Sequence, residues 1–400
     1  MKLRFFNTFE PVIPLFRLLL PHLERAGHEA RAWIADREYR SAGLSGGLRA
    51  RAIPTWSLRR RDGSPRKAFV HLSYAVGAAL RSLFGRGVDC NVFLTQPPLF
   101  PIWARVLRGL RRQPYCIILM DLYPWVAVEA GVMQRSAVTT RLAEALARAA
   151  LRGANRVIVI GRCMDRRVRE LGVAPERVHL IQNWADTDAV RPVPRAKNRK
   201  RARLGLEGRF VVMYSGNLGV SHQFRELLEV AERLREETDL LFLIVGDGSR
   251  RKEVESQIRR RALTNVLLLP FQPYEEIGET LSMGDVHFVS LRPGFEGLVV
   301  PSKAYGVLAA GRPIIYQGSR KGEVARMVKE EEVGVVLDAG DRQGLAAAIL
   351  RARDDPEWTA ETGERARRVA ETFYSAGAAL HKYEEILTGA EAPQGESDHD

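Results

Sequence analysis

The chain has 400 residues, 46% hydrophobic and 27% charged, a balance that excludes a disordered or collagen-like protein and, at this length, points to two domains. Charges break every apolar run short of the roughly 18 residues a membrane span needs, Arg17 interrupting the best candidate. The net charge of +13 is uneven: residues 1–200 hold 35 Lys and Arg against 15 acids, and residues 201–400 hold 26 against 33. The basic half should therefore face something polyanionic, a membrane surface or a nucleic acid.

The opening MKLRFFNTFEPVIPLFRLLLPHL is basic and then apolar, but Glu10 and Arg17 interrupt it and no small-residue cleavage site follows. It predicts a first strand and a helix rather than a signal peptide. Short apolar runs then alternate with amphipathic helical stretches, the pattern of parallel α/β sheets. In the first half these runs are 3–6, 31–35, 91–95, 115–120, 156–160 and 178–181; in the second they are 210–214, 240–245, 266–269, 286–291, 313–316 and 333–337. Cys90, Cys116 and Cys163 lie far apart in apolar runs, which reads as free thiols in a reducing cytosol, without metal-ligand spacing.

Two basic amphipathic stretches interrupt the first half. One sets Arg59, Arg60, Arg61, Arg66 and Lys67 beside Phe69, Val70, Leu72, Tyr74 and Leu83; the other mixes Phe100, Ile102, Trp103 and Leu107 with four arginines. Both suit contact with anionic lipid, the competing reading being core helices with solvated basic sides. Residues 191–208, with prolines and a basic run, are expected to be a solvated interdomain linker rather than a nucleic-acid patch. The expected organisation is a domain at 1–190, the linker, a second domain at 209–374, a helix at 375–388 able to pack back on the first domain, and a disordered acidic tail at 389–400.

Ligands in open α/β sheets bind beyond the carboxyl ends of the strands. Three such loops in the second domain are SGNLG (215–219), GDGSRR (246–251) and the stretch GFEGLVVPSK (294–303). Small residues let backbone amides approach an anion, and a lysine at a helix start opposes the macrodipole unless an anion accompanies it. Glu296, Ser302 and Lys303 thus read as one end of a phosphate-binding site. A purely structural glycine turn is an equal reading for GDGSRR.

The ordered set SGNLG, IVGDG, FVSLRPGFEGLVVPSKAYGVLAAGRPII and VGVVLD resembles the retaining GT-B glycosyltransferases of the bacterial family 4-like group that assembles surface polysaccharides and lipid-linked glycans. HLERAGHEA (22–30), QPPLF (96–100), DLYPW (121–125) and IQNWADTDAVRP (181–192) agree in order, so the resemblance spans about residues 1–388. It implies two facing Rossmann-like domains with a cleft between them, and a nucleotide-diphospho-sugar donor on the second. It implies Gly216 and Asn217 near the diphosphate, Glu296 near the sugar hydroxyls and Ser302 and Lys303 near the phosphates. His222, Gly246, Asp247, Phe271 and Pro301 complete the donor site, and Asp121 faces the acceptor. The implied enzyme works at the cytoplasmic membrane face on a lipid-linked or glycan acceptor, with no metal, cofactor or nucleic-acid partner. The acids of DTD (186–188) resemble a metal-binding pair of another transferase fold, the lesser reading here.

The pattern departs from that family in three places. The two glutamates spaced eight apart fall at Leu298 and Gly306, leaving Glu296 to substitute for the first; the Lys-Gly after the first glycine loop is His222-Gln223; and TFEPVIP replaces a glycine-rich loop near residue 10. His222 reads equally as a donor ligand or a helix-start surface histidine. A nucleotide-sugar 2-epimerase type of enzyme and a non-catalytic nucleotide-sugar or polyanion binder are the alternatives.

Overall fold

The computed structural model describes residues 1–7, 13–35, 52–55, 66–85 and 87–389. The chain divides into two compact units: Met1–Ile181 with the residues from Gly377 onward, and Gln182–Ala376.

The sheet of the first unit contains β1 (Lys2–Phe6), β2 (Glu29–Ala35), β3 (Ala52–Thr55), β4 (Cys90–Leu94), β5 (Tyr115–Leu119), β6 (Arg156–Val159) and β7 (Val178–Leu180). Its order is β3-β2-β1-β4-β5-β6-β7, and every pair is parallel. Parallel strands covered by helices on both faces must be apolar on both faces, which is why LRFF, CNVFL and YCIIL read as continuous runs. Phe5, Phe6, Val92, Phe93, Ile117 and Ile118 are wholly buried. Sequence periodicity misses β3, whose AIPT contains Pro54; a proline cannot donate to a ladder, and β3 is an edge strand. Helix Ala376–Thr388 belongs to this unit and buries Ala379, Leu380, Tyr383 and Leu387.

The second unit repeats the plan with β8 (Phe210–Ser215), β9 (Leu240–Val245), β10 (Val266–Leu269), β11 (Val286–Ser290), β12 (Ile314–Gln317) and β13 (Gly334–Leu337) in the order β10-β9-β8-β11-β12-β13, all parallel. Helix Arg225–Arg233 buries Leu227, Leu228, Val230 and Ala231 in a core shared with Phe242, Phe288 and Ile349. The chain leaves β8 toward one edge of the sheet and returns at β11 on its other side. The loops after β8 and β11 therefore diverge, forming the switch point where open α/β sheets place their ligands.

Residues 191–208, expected to be a linker, are instead packed into the second unit. Asn198 caps helix Arg199–Arg203 by accepting from the Arg201 N–H at 3.0 Å. The Arg201 guanidinium is buried and donates to Asp285 Oδ2 at 3.2 Å and to the carbonyls of Met283, Leu206 and Arg209. The same carboxylate oxygen takes Arg195 at 2.6 Å and the Val211 N–H at 2.7 Å. A charge run reads as solvated, but here Arg195 and Arg201 meet an acid 90 and 84 residues further on. The tail from 390 onward and Arg59, Arg60 and Arg61 lie outside the described residues, as do the side chains of Arg66 and Lys67. Among the described residues no helix is long and apolar enough to cross a membrane.

Candidate functional site

The switch point of the second unit gathers Tyr214 from the end of β8, His222 from the loop after it, Ser290 from the end of β11 and Lys303 from the start of helix Lys303–Ala309. His222 is buried, and its Nδ1 lies 2.7 Å from the Ser290 carbonyl oxygen. A carbonyl only accepts, so Nδ1 carries the hydrogen and Nε2 presents a lone pair. Lys303 Nζ lies 3.1 Å from that Nε2, donates to the Tyr214 hydroxyl and sits 3.9 Å from the Tyr214 ring centroid. The Tyr214 hydroxyl donates onward to the Asn217 carbonyl at 2.6 Å.

The electrostatics of this cluster are lopsided. Burial, then the Lys303 and Arg250 cations, push His222 down to about 3, so it is neutral in ordinary buffers. Burial alone holds the Lys303 amine well below the usual lysine range. Both of its hydrogen-bond partners are neutral, and no carboxylate pairs with it among the described residues. An ammonium has three N–H donors; two are used here, and an anion arriving at the third would reverse the cost of holding the charge.

The glycine loops fit against one another around this lysine. Gly216 has φ +141°, and a Cβ there would stand 3.0 Å from Lys303 Cε. Gly246 has φ +147°, and a Cβ there would stand 1.9 Å from the Gly216 carbonyl oxygen, which no side chain tolerates. Backbone bonds tie the two loops, Gly216 N–H to Val245 O at 2.9 Å and Leu218 N–H to Asp247 O at 2.8 Å. Asp247 is exposed, and its carboxylate accepts the Gly248 N–H at 2.7 Å, which accounts for its place in the turn.

Beside the cluster lies a cavity of about 560 Å³ lined by Gln223, Arg225, Glu226, Arg250, Glu253 and Arg292, among others. Arg250 donates to the His222 carbonyl at 2.6 Å and Arg292 to the Val220 carbonyl at 2.9 Å, so both arginines brace the loop after β8. Glu226 is buried with Oε2 lacking a hydrogen-bond partner among the described residues, and could accept from a ligand hydroxyl. Sequence reading missed Tyr214, Arg250, Arg292 and Glu226. Tyr214 reads as one more apolar strand residue, and the others are unremarkable charges until three loops meet.

The remaining expected residues are more dispersed. Glu296 is half-buried, its Oε2 accepting the Gly294 N–H at 2.9 Å. Pro301 is buried and Ser302 exposed at the N-cap position, where its side chain makes no capping bond. Phe271 is 58% exposed beyond β10, two strands and so about 10 Å across the sheet from β8. Asp121 belongs to the first unit, beyond the carboxyl end of β5, where burial pushes its carboxyl up to about 6. In that unit, Trp103 is half-buried with its indole N–H donated to Ser82 Oγ at 2.9 Å.

Two doubly wound parallel sheets in one chain, one carrying a cationic cluster at its switch point, are the elements of the GT-B architecture. The comparisons agree. Residues 14–184 match the family described as "Glycosyl transferase 4-like domain" and residues 196–369 that described as "Glycosyl transferases group 1". The chain is 30% identical over 231 residues to the Escherichia coli K12 protein named as the colanic acid biosynthesis glycosyl transferase WcaI, covering 57% of this chain and 56% of that one. It is 28% identical over 282 residues to the Pseudomonas aeruginosa protein named as glycosyltransferase WbjE, covering 70% of each. The matched region is thus little more than half the length of WcaI. The structure of Anabaena Alr3699/HepE with UDP and glucose superposes with a TM-score of 0.74 at 17% identity, over 98% of this chain and 100% of that one, a likeness of fold. The chain belongs to the bacterial GT-B glycosyltransferases.

Proposed function

We propose that this glycosyltransferase is a retaining enzyme that moves a sugar from a nucleotide-diphospho-sugar to a lipid-linked or glycan acceptor at the cytoplasmic membrane face. The observation that carries the donor assignment is Lys303, a lysine held at the switch point by neutral partners and needing an anion to make its charge favourable. HepE, solved with UDP and glucose, supports a nucleoside diphosphate as that anion.

In this reading Lys303 and the amides of the Gly216 loop meet the diphosphate. The bond between the sugar's anomeric carbon and the β-phosphate oxygen breaks, and the negative charge that develops there is what Lys303 stabilises. The acceptor oxygen bonds to the same face of the sugar, and its proton passes to the departing diphosphate. His222 acts as a positioning residue: its lone pair and the Tyr214 hydroxyl fix the amine. Glu296 and the unmatched Glu226 oxygen are assigned to sugar hydroxyls, and Asp121, in the first unit, to the acceptor.

The membrane reading rests on the outer sides of three helices of the first unit. Leu72, Val76, Leu80 and Phe84 recur every four residues on helix Arg66–Phe84, and all are exposed, as are Val106 and Leu110 on Pro101–Arg111 and Val138, Leu142 and Leu146 on Val138–Gly153. Trp103 to Ser82 joins the first two helices, and Arg108 to the Gly153 carbonyl at 2.7 Å joins the last two. Exposed Arg81, Arg105, Arg111 and Arg141 accompany these apolar rows, the pairing an anionic bilayer surface would attract.

The test is calorimetric titration with nucleoside diphosphates and their sugars, with Mg²⁺ and with chelator, followed by proton NMR of the product formed with a lipid-linked acceptor. One base should bind selectively, and the product should keep the donor's anomeric configuration. Binding by none would overturn the donor assignment, and an inverted product the retaining one.

A further inference from the structure

We propose that His22, His381 and Glu384 form a site for a divalent transition-metal ion of the zinc class, which clasps helix Ala376–Thr388 to helix Ile13–Arg25 within the first unit. This proposal does not depend on the transferase reading.

His22 lies in the last turn of Ile13–Arg25. His381 and Glu384 are three apart on the last helix and so share one face. The adjoining face of that helix is buried through Leu380, Tyr383 and Leu387, which fixes the backbone that carries both ligands before any ion arrives. The three ligand atoms lie within 4.8 Å of one another. His22 Nε2 and Glu384 Oε2 are 2.6 Å apart, and the His22 and His381 rings meet edge to face with centroids at 4.9 Å. Zinc takes nitrogen and oxygen ligands at about 2.0–2.2 Å, so a tetrahedral set has its ligand atoms about 3.3 Å apart. The His22–Glu384 pair would open slightly and His381, which is exposed, would swing inward.

A third imidazole stands nearby, His28 Nε2 lying 3.9 Å from Glu384 Oε1, beyond direct hydrogen-bond reach. Two imidazoles and one carboxylate are borderline donors that suit zinc and its neighbours; magnesium and calcium favour all-oxygen sets. Three protein ligands leave a fourth position for water, on the exposed side of His381. For Nε2 to bind the ion, the hydrogen bridging His22 and Glu384 must leave that nitrogen, the neutral ring keeping its one N–H on Nδ1. The role is structural: the chain crosses from the second unit into the first at Ala376 and Gly377, and the ion would fasten the helix that follows.

The test titrates the full-length chain with Zn²⁺ against a chromophoric chelator. One tight equivalent is expected, with a higher melting temperature on loading and no response to Mg²⁺. His381→Ala and Glu384→Gln should each weaken that equivalent by about 100-fold or more, beyond the loss typical of outer partners. His381→Ala changes an exposed side chain, so its metal-free melting curve should match the unsubstituted chain. Failure to compete with the chelator, or an equivalent retained by both variants, would overturn the site; the latter would place the ion elsewhere on the chain.

Discussion

In the proposed function, Lys303 and His222 form a site held in a form that is unfavourable without its ligand. Both are bases whose folded values lie below their unfolded ones, so the unfolded chain binds more protons and stability falls as the pH drops. For His222 the loss runs from its unfolded value of about 6.5 down toward about 3. For Lys303 it begins in the ordinary lysine range, so at neutral pH the lysine already destabilises the ligand-free protein. In the proposed reading a diphosphate beside Nζ favours the ammonium again and removes that cost. Lys303→Met should raise the ligand-free melting temperature and cut turnover by about 100-fold or more. A variant that keeps full turnover would remove Lys303 from the chemistry.

At the scale of elements, the strands were legible because a parallel strand buried on both faces must be an apolar run, as 240–245 and 286–291 are. The glycine loops were legible too, because φ near +140° after β8 and β9 leaves little choice of residue. What stayed hidden depends on contacts distant in sequence. Nothing local in NRKRAR announces that Arg201 will be buried against Asp285, and so a packed helix reads as a linker. Likewise, nothing in FVVMYS sets Tyr214 apart as the acceptor for a lysine 89 residues away. The Asp285 hub yields a direct expectation. Asp285→Ala leaves buried Arg201 unpaired, and losing one partner of a buried ion pair costs about 3–5 kcal/mol. Denaturant unfolding should show a loss of that size in the second unit, whereas a loss under 1 kcal/mol would mean that 191–208 adds little to its stability.

For the whole molecule, the excess of positive charge in the first half and the apolar rows on its helices act at different ranges. Exposed charge attracts an anionic bilayer over about 10 Å at 0.1 M salt and is screened beyond that. The apolar rows act only on contact, and burying a large aliphatic or aromatic side chain contributes about 1.5 kcal/mol or more. Replacing Leu72, Leu80 and Phe84 together by Ser should therefore weaken sedimentation with vesicles containing phosphatidylglycerol by about 100-fold or more. The melting temperature should hardly change, because these side chains are 62%, 55% and 82% exposed in the fold. Raising the salt should weaken the unsubstituted chain's binding while leaving a residue of contact that the triple variant lacks. If the variant instead sediments as well as the unsubstituted protein, helix Arg66–Phe84 is not the docking face, and any contact falls to basic charge and the apolar rows of Pro101–Arg111 and Val138–Gly153.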